Sequence, residues 1–578
     1  MADIVSRIYA NFRGVDFRGE EINLVRSPDS LNVWKDYKET DSIRTRPGMA
    51  LQEAFSEPVY GIFFYKNQML VHSGSKMYKV ADGVKTELYA GMNEATSQSF
   101  VYDDPDNGKL MFYIKDGKNY LQYDGTTMQE IADCYIPTTS IGRKPKSGGS
   151  LYEDVNMLQP KRINTFLRDG EGVEFWLDSQ NIDRDFAPVV EIISGNTGKW
   201  IPVTDKYTVN YDDGKIVFEK PPASDNGQLD SLTPGQDDLR VTFSKTIDRY
   251  KGCILKCTLL QVFDNRVFFS GNPDYPNFVW HSSLDDPGYC SDTDYYKEGI
   301  DTAAVRGLVA GNNVLWVFRE PSDANTTVFY HTPTLDADYS KIYPSQHSSV
   351  TTGCIAKAVN FNDDIVFFSE RGMEGISGDI TTEQVVAHRS TMVDRKLISE
   401  KDYKNMILAE WNGYLCVFIG NLAYLADSRA MFSNENHYEY EWFYWEMEKE
   451  ITCAKVRDGD LYLGTADGVY KLNDYKCDLE SYWVTPKDKF KHPSKLKTTS
   501  KKSCTVEAEG KEISVFAKTD KDEEYELLAS FAEVTDAFTC RFKKKKFKDL
   551  QIKFYSPRRF SLETATLDCY IGGYLKNL

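Results

Sequence analysis

The sequence lacks the features that mark a membrane protein or a metalloenzyme. No apolar run approaches the about 18 residues that a membrane-spanning helix needs, and the start at Met1 shows no signal peptide. The seven histidines are scattered, and no two have the spacing of metal ligands. We therefore expect a chain with no membrane span, no export by the usual signal, and neither a metal nor a cofactor.

Motifs of catalysis are also missing. There is no Walker loop, no dinucleotide fingerprint and no histidine beside a serine or cysteine nucleophile motif. Three acidic pairs have a spacing that can serve a divalent cation, although solvated loop acids are the commoner structure: Asp285 with Asp286, Asp292 with Asp294, and Asp336 with Asp338. We expect no enzyme.

The 11 cysteines show no disulfide framework and no zinc motif. They are scattered singly, except that Cys253 and Cys257 are close, and those two have no second pair or histidine nearby. We expect most of them to be buried reduced thiols of a protein made in a reducing cytoplasm.

Positive charge is scarce and unevenly placed. The chain has 69 Lys and Arg against 87 Asp and Glu, a net charge of −18. Residues 481–578 carry 20 basic and 14 acidic side chains, so their net charge is +6 and that of the rest is −24. Because body and tail differ in sign, they are expected to face different partners or each other.

Two basic segments account for this difference. The first holds Lys487, Lys489, Lys491, Lys495, Lys497, Lys501 and Lys502. The second holds Lys553 and eight residues that we predict to form a basic patch: Arg541, Lys543, Lys544, Lys545, Lys546, Lys548, Arg558 and Arg559. One interpretation is a guard against aggregation at the edge of a sheet, and the other is a salt-sensitive surface for phosphates or acids.

What is abundant is β-sheet sequence. The 36 Tyr and 32 Phe favour strands, and one short pattern recurs: two apolar arms joined by a polar turn of Asn, Asp or Gly. Such turns between apolar arms are a strong signal for β-hairpins. The copies lie at 59–74, 257–271, 306–319, 356–372, 406–420 and 451–464, with a weaker one at 107–113.

The spacing of the later copies predicts a β-propeller. Their turns are about 45 to 50 residues apart, which is the length of a four-stranded blade. The wider gap between Gly108 and Asp264 fits one further blade and an inserted domain, which gives six or seven blades. A series of unrelated hairpins in a sandwich is the alternative.

These patterns divide the chain into five parts. Residues 1–51 form an extended leader with one short helical turn, which can also supply the strand that closes a ring. Residues 142–150 read as a basic, glycine-rich linker. The remaining parts are propeller residues 52–150, an inserted β-sandwich at 151–250, propeller residues 251–480 and a basic C-terminal β-sandwich at 481–578. The fold class is therefore all-β.

Four segments resemble virion proteins of tailed bacteriophages: residues 11–16, 27–34, 44–48 and 269–276. They are similar to the propeller proteins of the tail hub or nozzle, also called packaged-DNA stabilisation proteins. The leader is the specific part of this resemblance, and the propeller pattern is generic. This sequence departs from the family in its large insertion and its separate basic C-terminal domain.

The resemblance implies a structural protein of the virion tail, assembled in the host cytoplasm. It implies a homo-oligomeric ring, expected to be a hexamer, below the portal and adaptor proteins. Such a ring holds packaged double-stranded DNA, lets it pass, and carries tail fibre or spike proteins. We expect the leader to dock on the adaptor or a neighbouring copy through Phe12, Arg13, Asp16, Trp34, Arg44 and Arg46.

Two other functions stay open on the sequence. The sandwiches of a tail protein can instead bind a receptor, as in a fibre. A carbohydrate-active propeller enzyme is the third hypothesis, since its two carboxylates, about 5 to 10 Å apart, are neighbours in space rather than in sequence.

Overall fold

The structure is a computed structural model that describes residues 4–19, 22–36, 42–103, 108–131, 134–324, 326–337, 340–377, 385–434 and 437–574. The chain is all-β, with 54% of residues in strands and 3% in helices. Within the described ranges, its strands form many small antiparallel sheets and one long-stranded sheet.

Seven of the sheets have four strands each, counted over the described residues, and we number them in chain order. Sheets 1 to 3 consist of Val59–Tyr65, Gln68–Ser73, Lys76–Ala81 and Val84–Ala90; of Gln98–Asp103, Leu110–Lys115, Tyr120–Tyr123 and Met128–Glu130; and of Leu259–Phe263, Arg266–Ser270, Phe278–His281 and Tyr295–Lys297. Sheets 4 and 5 consist of Val305–Gly311, Val314–Arg319, Val328–His331 and Ser345–His347; and of Ala358–Phe361, Asp364–Ser369, Gly372–Ser377 and Val385–His388. Sheets 6 and 7 consist of Ile407–Trp411, Tyr414–Ile419, Leu422–Asn434 and His437–Glu446; and of Cys453–Arg457, Asp460–Gly464, Gly468–Asp474 and Gly48–Ala54.

The predicted hairpins form the first two strands of these sheets. Their turn residues have positive φ, as at Asn312 (53°), Asn313 (60°), Asp458 (53°) and Gly459 (83°). Asn, Asp and Gly adopt this conformation at the lowest cost, which explains why the turns carry them. The weaker copy at 107–113 supplies the second strand of sheet 2. Asn107 of its predicted turn lies outside the described residues, and Gly108 has a positive φ of 65°.

Sheet 7 is completed by a strand from the start of the chain. Gly48–Ala54 pairs antiparallel with Gly468–Asp474, so residues more than 400 positions apart share one sheet. The propeller part was expected to begin at residue 52, whereas this strand begins at Gly48.

Residues 138–244 form two sheets, although the inserted domain was predicted to begin only at residue 151. One has six strands in the order Ser147–Leu151, Thr138–Lys144, Lys161–Phe166, Leu239–Ser244, Val189–Ile193 and Trp200–Pro202. The other has three, in the order Glu174–Trp176, Lys215–Phe218 and Tyr207–Asn210. Both sheets contribute buried side chains to one core, among them Phe166, Phe175, Ile216 and Phe243.

The prediction of a linker at 142–150 is wrong. These residues form a β-hairpin in which Ile141 pairs with Ser150 and Lys144 with Ser147. The sequence reads as flexible because it is rich in glycine, but the positive φ of Gly148 (81°) and Gly149 (90°) serves this hairpin.

The long-stranded sheet joins the two ends of the chain. From the C-terminal region it takes Ser481–Val484, Lys495–Thr519, Glu526–Val534, Ala537–Cys540, Lys545–Phe547, Leu550–Ser556 and Phe560–Tyr574. From the leader it takes Ile4–Tyr9, Ser30–Leu31, Val33–Lys35 and Ile43–Thr45. The leader, expected from the sequence to be a separate part, is thus built into the C-terminal sheet.

The chain divides into two compact units. The first comprises 1–96, 316–329 and 347–578, and the second comprises 97–315 and 330–346. The helices are short, at Asp248–Leu255 and Asp394–Leu397, with a 3₁₀ turn at Tyr403–Asn405. In the part of the chain that the structure describes, no helix is both long and apolar enough to cross a membrane.

Candidate interaction surfaces

Most of the leader residues predicted to dock on a partner are buried within the first unit. Phe12 and Arg46 are 0% exposed, and Asp16 and Trp34 are 1% exposed. The side chain of Arg13 remains 45% exposed. Arg44 is half-buried in the strand Ile43–Thr45 and lies opposite Ser561 of the C-terminal sheet.

Arg46 shows what these residues do. Its Nε donates to Asn32 Oδ1 at 2.9 Å, and its Nη1 donates to the carbonyl of Pro47 at 2.9 Å. Its Nη2 donates to the carbonyl of Glu446 and to Glu448 Oε2, 3.0 Å away. Burial lowers the pKa of Arg46, while the charge and hydrogen bond of Glu448 oppose that shift. All three nitrogen atoms of the guanidinium donate hydrogen bonds, so Arg46 holds the leader against the end of sheet 6.

Trp34 lies in a cluster of aromatic rings from sheet 6. It stacks on Trp411 with ring centroids 5.2 Å apart and meets Trp445 edge-on at 5.9 Å. Phe12 meets Trp483 of the C-terminal sheet edge-on at 5.3 Å. Aromatic pairs in these arrangements contribute more than their buried area alone.

The segment 11–16 runs directly against Trp442 of sheet 6. A Cβ on Gly14 would clash with the Trp442 carbonyl oxygen, and the amide of Val15 donates to that same oxygen at 2.6 Å. Only glycine allows the two backbones to approach so closely. Arg13 and Arg26 both bind the buried carboxylate of Glu441, at 3.2 and 2.6 Å.

We call this set of contacts the clasp, defined by Phe12, Arg13, Gly14, Trp34 and Arg46 with their partners. The clasp joins the leader, sheet 6 and the C-terminal sheet, all within the first unit. The three leader segments that carry the resemblance therefore make contacts within the fold of the first unit.

Exposed apolar side chains of the leader were not among the predicted site residues. The strand Ile4–Tyr9 buries Tyr9 but leaves Ile4 and Ile8 56% and 64% exposed. The two-residue period of a strand places Ile4 and Ile8 on one face and Val5 and Tyr9 on the other, but both faces carry apolar residues and the sequence does not show which one is covered. Ile4 and Ile8 are better placed to touch a partner than the residues of the clasp.

The predicted basic patch is divided by the structure. Lys544 binds Asp522 and Glu526, and Arg558 binds Asp478 and Glu512. Arg559 donates to the carbonyls of Arg46 and Thr45, both at 2.8 Å, and so holds the leader. The exposed remainder of the patch is Arg541, Lys543, Lys545, Lys546 and Lys548.

The first basic segment lies beside the exposed remainder of the predicted basic patch. Asp488 and Leu550 exchange backbone hydrogen bonds of 3.0 and 3.2 Å, and the rings of Phe490 and Phe547 lie 6.2 Å apart. Lys497 is buried and donates to the carbonyl of Lys548 at 2.7 Å. The side chains of Lys501 and Lys502 lie outside the described residues. We call the exposed cations of these two neighbouring segments the basic face: Lys487, Lys489, Lys491, Arg541, Lys543, Lys545, Lys546 and Lys548.

Two clusters of ionisable groups, one buried and one half-buried, are not among the sequence-based predictions. In the second unit, the fully buried His331 Nε2 lies 3.1 Å from Glu298 Oε1, and its Nδ1 lies 2.8 Å from the Tyr343 carbonyl. In sheet 5, His388 lies between Glu374 and Asp394, 3.2 and 2.6 Å away. Among the described residues, no group of three or more His, Cys, Asp or Glu is arranged to hold a metal ion.

The acidic pairs and the cysteines have ordinary surroundings. Asp292 accepts a hydrogen bond of 2.6 Å from Tyr250, and burial raises the pKa of Asp294 to about 6. Asp338 lies outside the described residues. Nine of the 11 cysteines are buried and all are free thiols, so the predicted burial of most of them is confirmed.

Comparisons with known proteins give no family. No family model matches the sequence, and no curated protein matches it. Similar solved structures include the computationally designed Ika8 protein, with 12% identity, 74% of this chain and 99% of that chain covered, and a TM-score of 0.31. BamB from Moraxella catarrhalis has 9% identity, coverage of 73% and 98%, and a TM-score of 0.30.

A third similar structure is an exo-beta-1,3-galactanase from Phanerochaete chrysosporium. It has 10% identity, covers 54% of this chain and 95% of its own, and has a TM-score of 0.21. All three TM-scores lie below 0.5, so these likenesses assign neither a family nor an activity to this chain.

Proposed function

We propose that this chain is a non-enzymatic structural protein of a tailed-phage virion. In this proposal, copies form a ring at the tail hub or nozzle, below the portal and adaptor. The ring retains and conducts double-stranded DNA and anchors other tail proteins.

The proposed architecture is a seven-bladed β-propeller. Its support is the set of seven sheets with four strands each, in which the last sheet takes its fourth strand from Gly48–Ala54. A propeller can close in this way, with one blade that combines strands from the start and the end of the repeated region. We assign the two sheets at 138–244 to an inserted β-sandwich, supported by their common core.

The observation that carries the proposed function is the clasp. The three leader segments that resemble phage tail proteins meet in one place, where they join sheet 6 to the C-terminal sheet. The resembling segments therefore share one role, which is to hold two parts of the first unit together. Such a role suits a structural protein of the tail.

Charge supports the proposed passage of DNA. Outside residues 481–578 the chain has a net charge of −24. An acidic wall repels phosphates, so DNA can slide past such a surface without adhering to it.

Labelled virions test the location. An epitope tag at the exposed turn of residues 196–198, detected with gold in electron micrographs, should mark the junction of head and tail. Untagged virions are the control. Label at the fibre tips, together with purified protein that blocks adsorption, would favour the receptor-binding alternative.

Docking of the leader needs a test that spares the fold. Deleting residues 1–48 removes the clasp and several strands, so a defect in that deletion variant does not report on docking. The double variant Ile4→Ser and Ile8→Ser changes only exposed side chains. We expect this variant to fold normally and to attach less often to the adaptor; unchanged attachment would refute leader docking through this strand.

A further inference from the structure

The basic face is built from two chain segments about 50 residues apart in sequence. The loop that carries Lys487, Lys489 and Lys491 is tied to the strand region 545–550 by the paired backbones of Asp488 and Leu550. A guard at a sheet edge needs charges only on the edge strand. The lysines of the loop are not on that strand, so aggregation control does not account for the whole face.

The acids near this face are engaged within their own domain. Asp488 binds Arg7 at 2.9 Å and accepts a 3.0 Å hydrogen bond from Tyr9. Asp522 and Glu526 share Lys544. Asp520 accepts a 2.6 Å hydrogen bond from the backbone amide of Lys548.

A further acid beside this face, Asp549, is half-buried. Burial raises its pKa, with the nearby charge of Asp520 acting in the same direction. Lys487 and Lys489 lie close enough to Asp549 for their charges to oppose that shift in its pKa. One half-buried carboxylate does not balance the eight cations of the basic face, so an excess of positive charge remains exposed.

We infer that the basic face binds an acidic surface on a second copy of this chain. The chain itself supplies the complementary charge, because its C-terminal region is at +6 and the rest at −24. A contact between two different surfaces of identical copies is head-to-tail, which closes into a ring when the rotation between copies permits. This inference rests on the proposed ring and names the surface that holds neighbours together.

Salt and charge reversal test the inference on the full chain. Sedimentation velocity of the wild-type protein should show association at about 0.05 M NaCl that weakens toward about 0.5 M, since salt screens exposed charges. The triple variant K545E/K546E/K548E should raise the dissociation constant by about 10-fold or more.

Two control variants separate position from net charge and from folding. The variant K144E/K146E/K199E changes the net charge equally at exposed lysines of the inserted region and should associate like the wild type. The variant K545R/K546R/K548R keeps the charge and should also associate. If the melting temperatures of all three variants equal that of the wild type, folding is intact.

Other outcomes overturn the inference. A wild-type chain that stays monomeric at every salt concentration, or equal association of K545E/K546E/K548E and wild type, removes this interface. Loss of binding to a short DNA duplex in that variant, with association unchanged, assigns the face to nucleic acid instead. None of these results moves the gold label in virions, so the proposed location is judged separately.

Discussion

At the scale of single residues, the clasp contains a very close approach between the leader and sheet 6. A Cβ added to Gly14 would meet only backbone atoms of Trp442, with its amide nitrogen at 2.6 Å and its carbonyl oxygen nearer still. Backbone cannot move aside as a flexible side chain can. The cost of added atoms here is therefore at the upper end of the range for overpacked sites.

We predict that Gly14→Ala destabilises the first unit by about 3 kcal/mol. The measurement is the free energy of the unfolding transition that removes near-ultraviolet tryptophan signal, since Trp34 and Trp442 report on this region. The control is Gly573→Ala, because a Cβ at Gly573 meets nothing within 4 Å. Equal stabilities of the two variants would show that the leader is not held as described.

The second residue-scale prediction concerns Arg46. Replacing it with Gln leaves Glu448 and two carbonyl oxygens without their buried cation, and we expect a loss of about 3 to 5 kcal/mol. The control is Arg184→Gln, whose side chain is 65% exposed and pairs with an exposed Asp212, so its effect should be below about 1 kcal/mol. Thermal unfolding followed by circular dichroism compares the two, and similar shifts would contradict the assignment.

The third concerns His388 and pH. Burial lowers the pKa of His388, but its hydrogen bonds to Asp394 and Glu374 outweigh burial and raise the pKa from the ordinary 6.5 to about 10. The stabilisation is therefore complete below pH 6.5 and is lost as pH rises toward 10, because only the unfolded chain releases the proton in that interval. We expect stability to fall between about pH 6.5 and 9.5 in the wild type and to fall less in His388→Gln. Parallel pH profiles of the two proteins would exclude this role.

At the scale of elements, local signals and distant pairing behave differently. Hairpins such as the one at 305–319 follow from the turn residues Asn312 and Asn313, which adopt positive φ within the segment itself. The pairing of Ile4–Tyr9 with Phe560–Tyr574 depends on a partner more than 550 residues away, and nothing in either strand specifies that partner. Sequence reasoning therefore found the repeated sheets and missed how the leader is held.

The same contrast explains the predicted sites. Runs of lysine are visible in the sequence, so they predict the basic segments. Only the structure shows which cations form ion pairs, as Lys544 does with Asp522 and Arg558 does with Glu512. The sequence predicts Trp34 and Arg46 as partner-binding residues because they belong to segments that resemble tail proteins. Burial decides their role, and burial depends on the distant strands that cover them.

The element-scale prediction concerns the strand Ile4–Tyr9. Deleting residues 1–9 removes the partner of residues 565–570 and takes Arg7 and Tyr9 away from the buried Asp488. We expect faster amide hydrogen exchange at 565–570 and a lower melting temperature. The variant with Ile4→Ser and Ile8→Ser, which alters only the outer face, should retain the protection. Unchanged exchange in the deletion variant would show that this strand contributes little.

At the scale of the whole molecule, the first and last parts of the chain share one sheet. Strands from 4–45 complete the sheet formed by 481–574, and Arg559 donates to two leader carbonyls. A C-terminal fragment without the leader lacks four strands of that sheet and exposes the Trp483 ring that Phe12 covers. The sheet is thus continuous in space but not in sequence.

We predict that the fragment 407–574, which holds sheet 6 and the C-terminal strands, does not fold cooperatively alone, whereas the same fragment joined through a short Gly/Ser linker to residues 4–54 does. The linker is feasible because Ile4 pairs with Tyr570, which places the start of the leader close to the end of the last strand. Urea unfolding followed by tryptophan fluorescence should give a sigmoidal transition only for the joined protein. A version that carries Gly14 and Arg46 but replaces Tyr9 and Phe12 with Ser should lose most of the gain, because those two side chains fill the contact with Asp488 and Trp483. A cooperative transition in the bare fragment would instead make the leader an accessory segment, and its family resemblance would then need a role outside the fold.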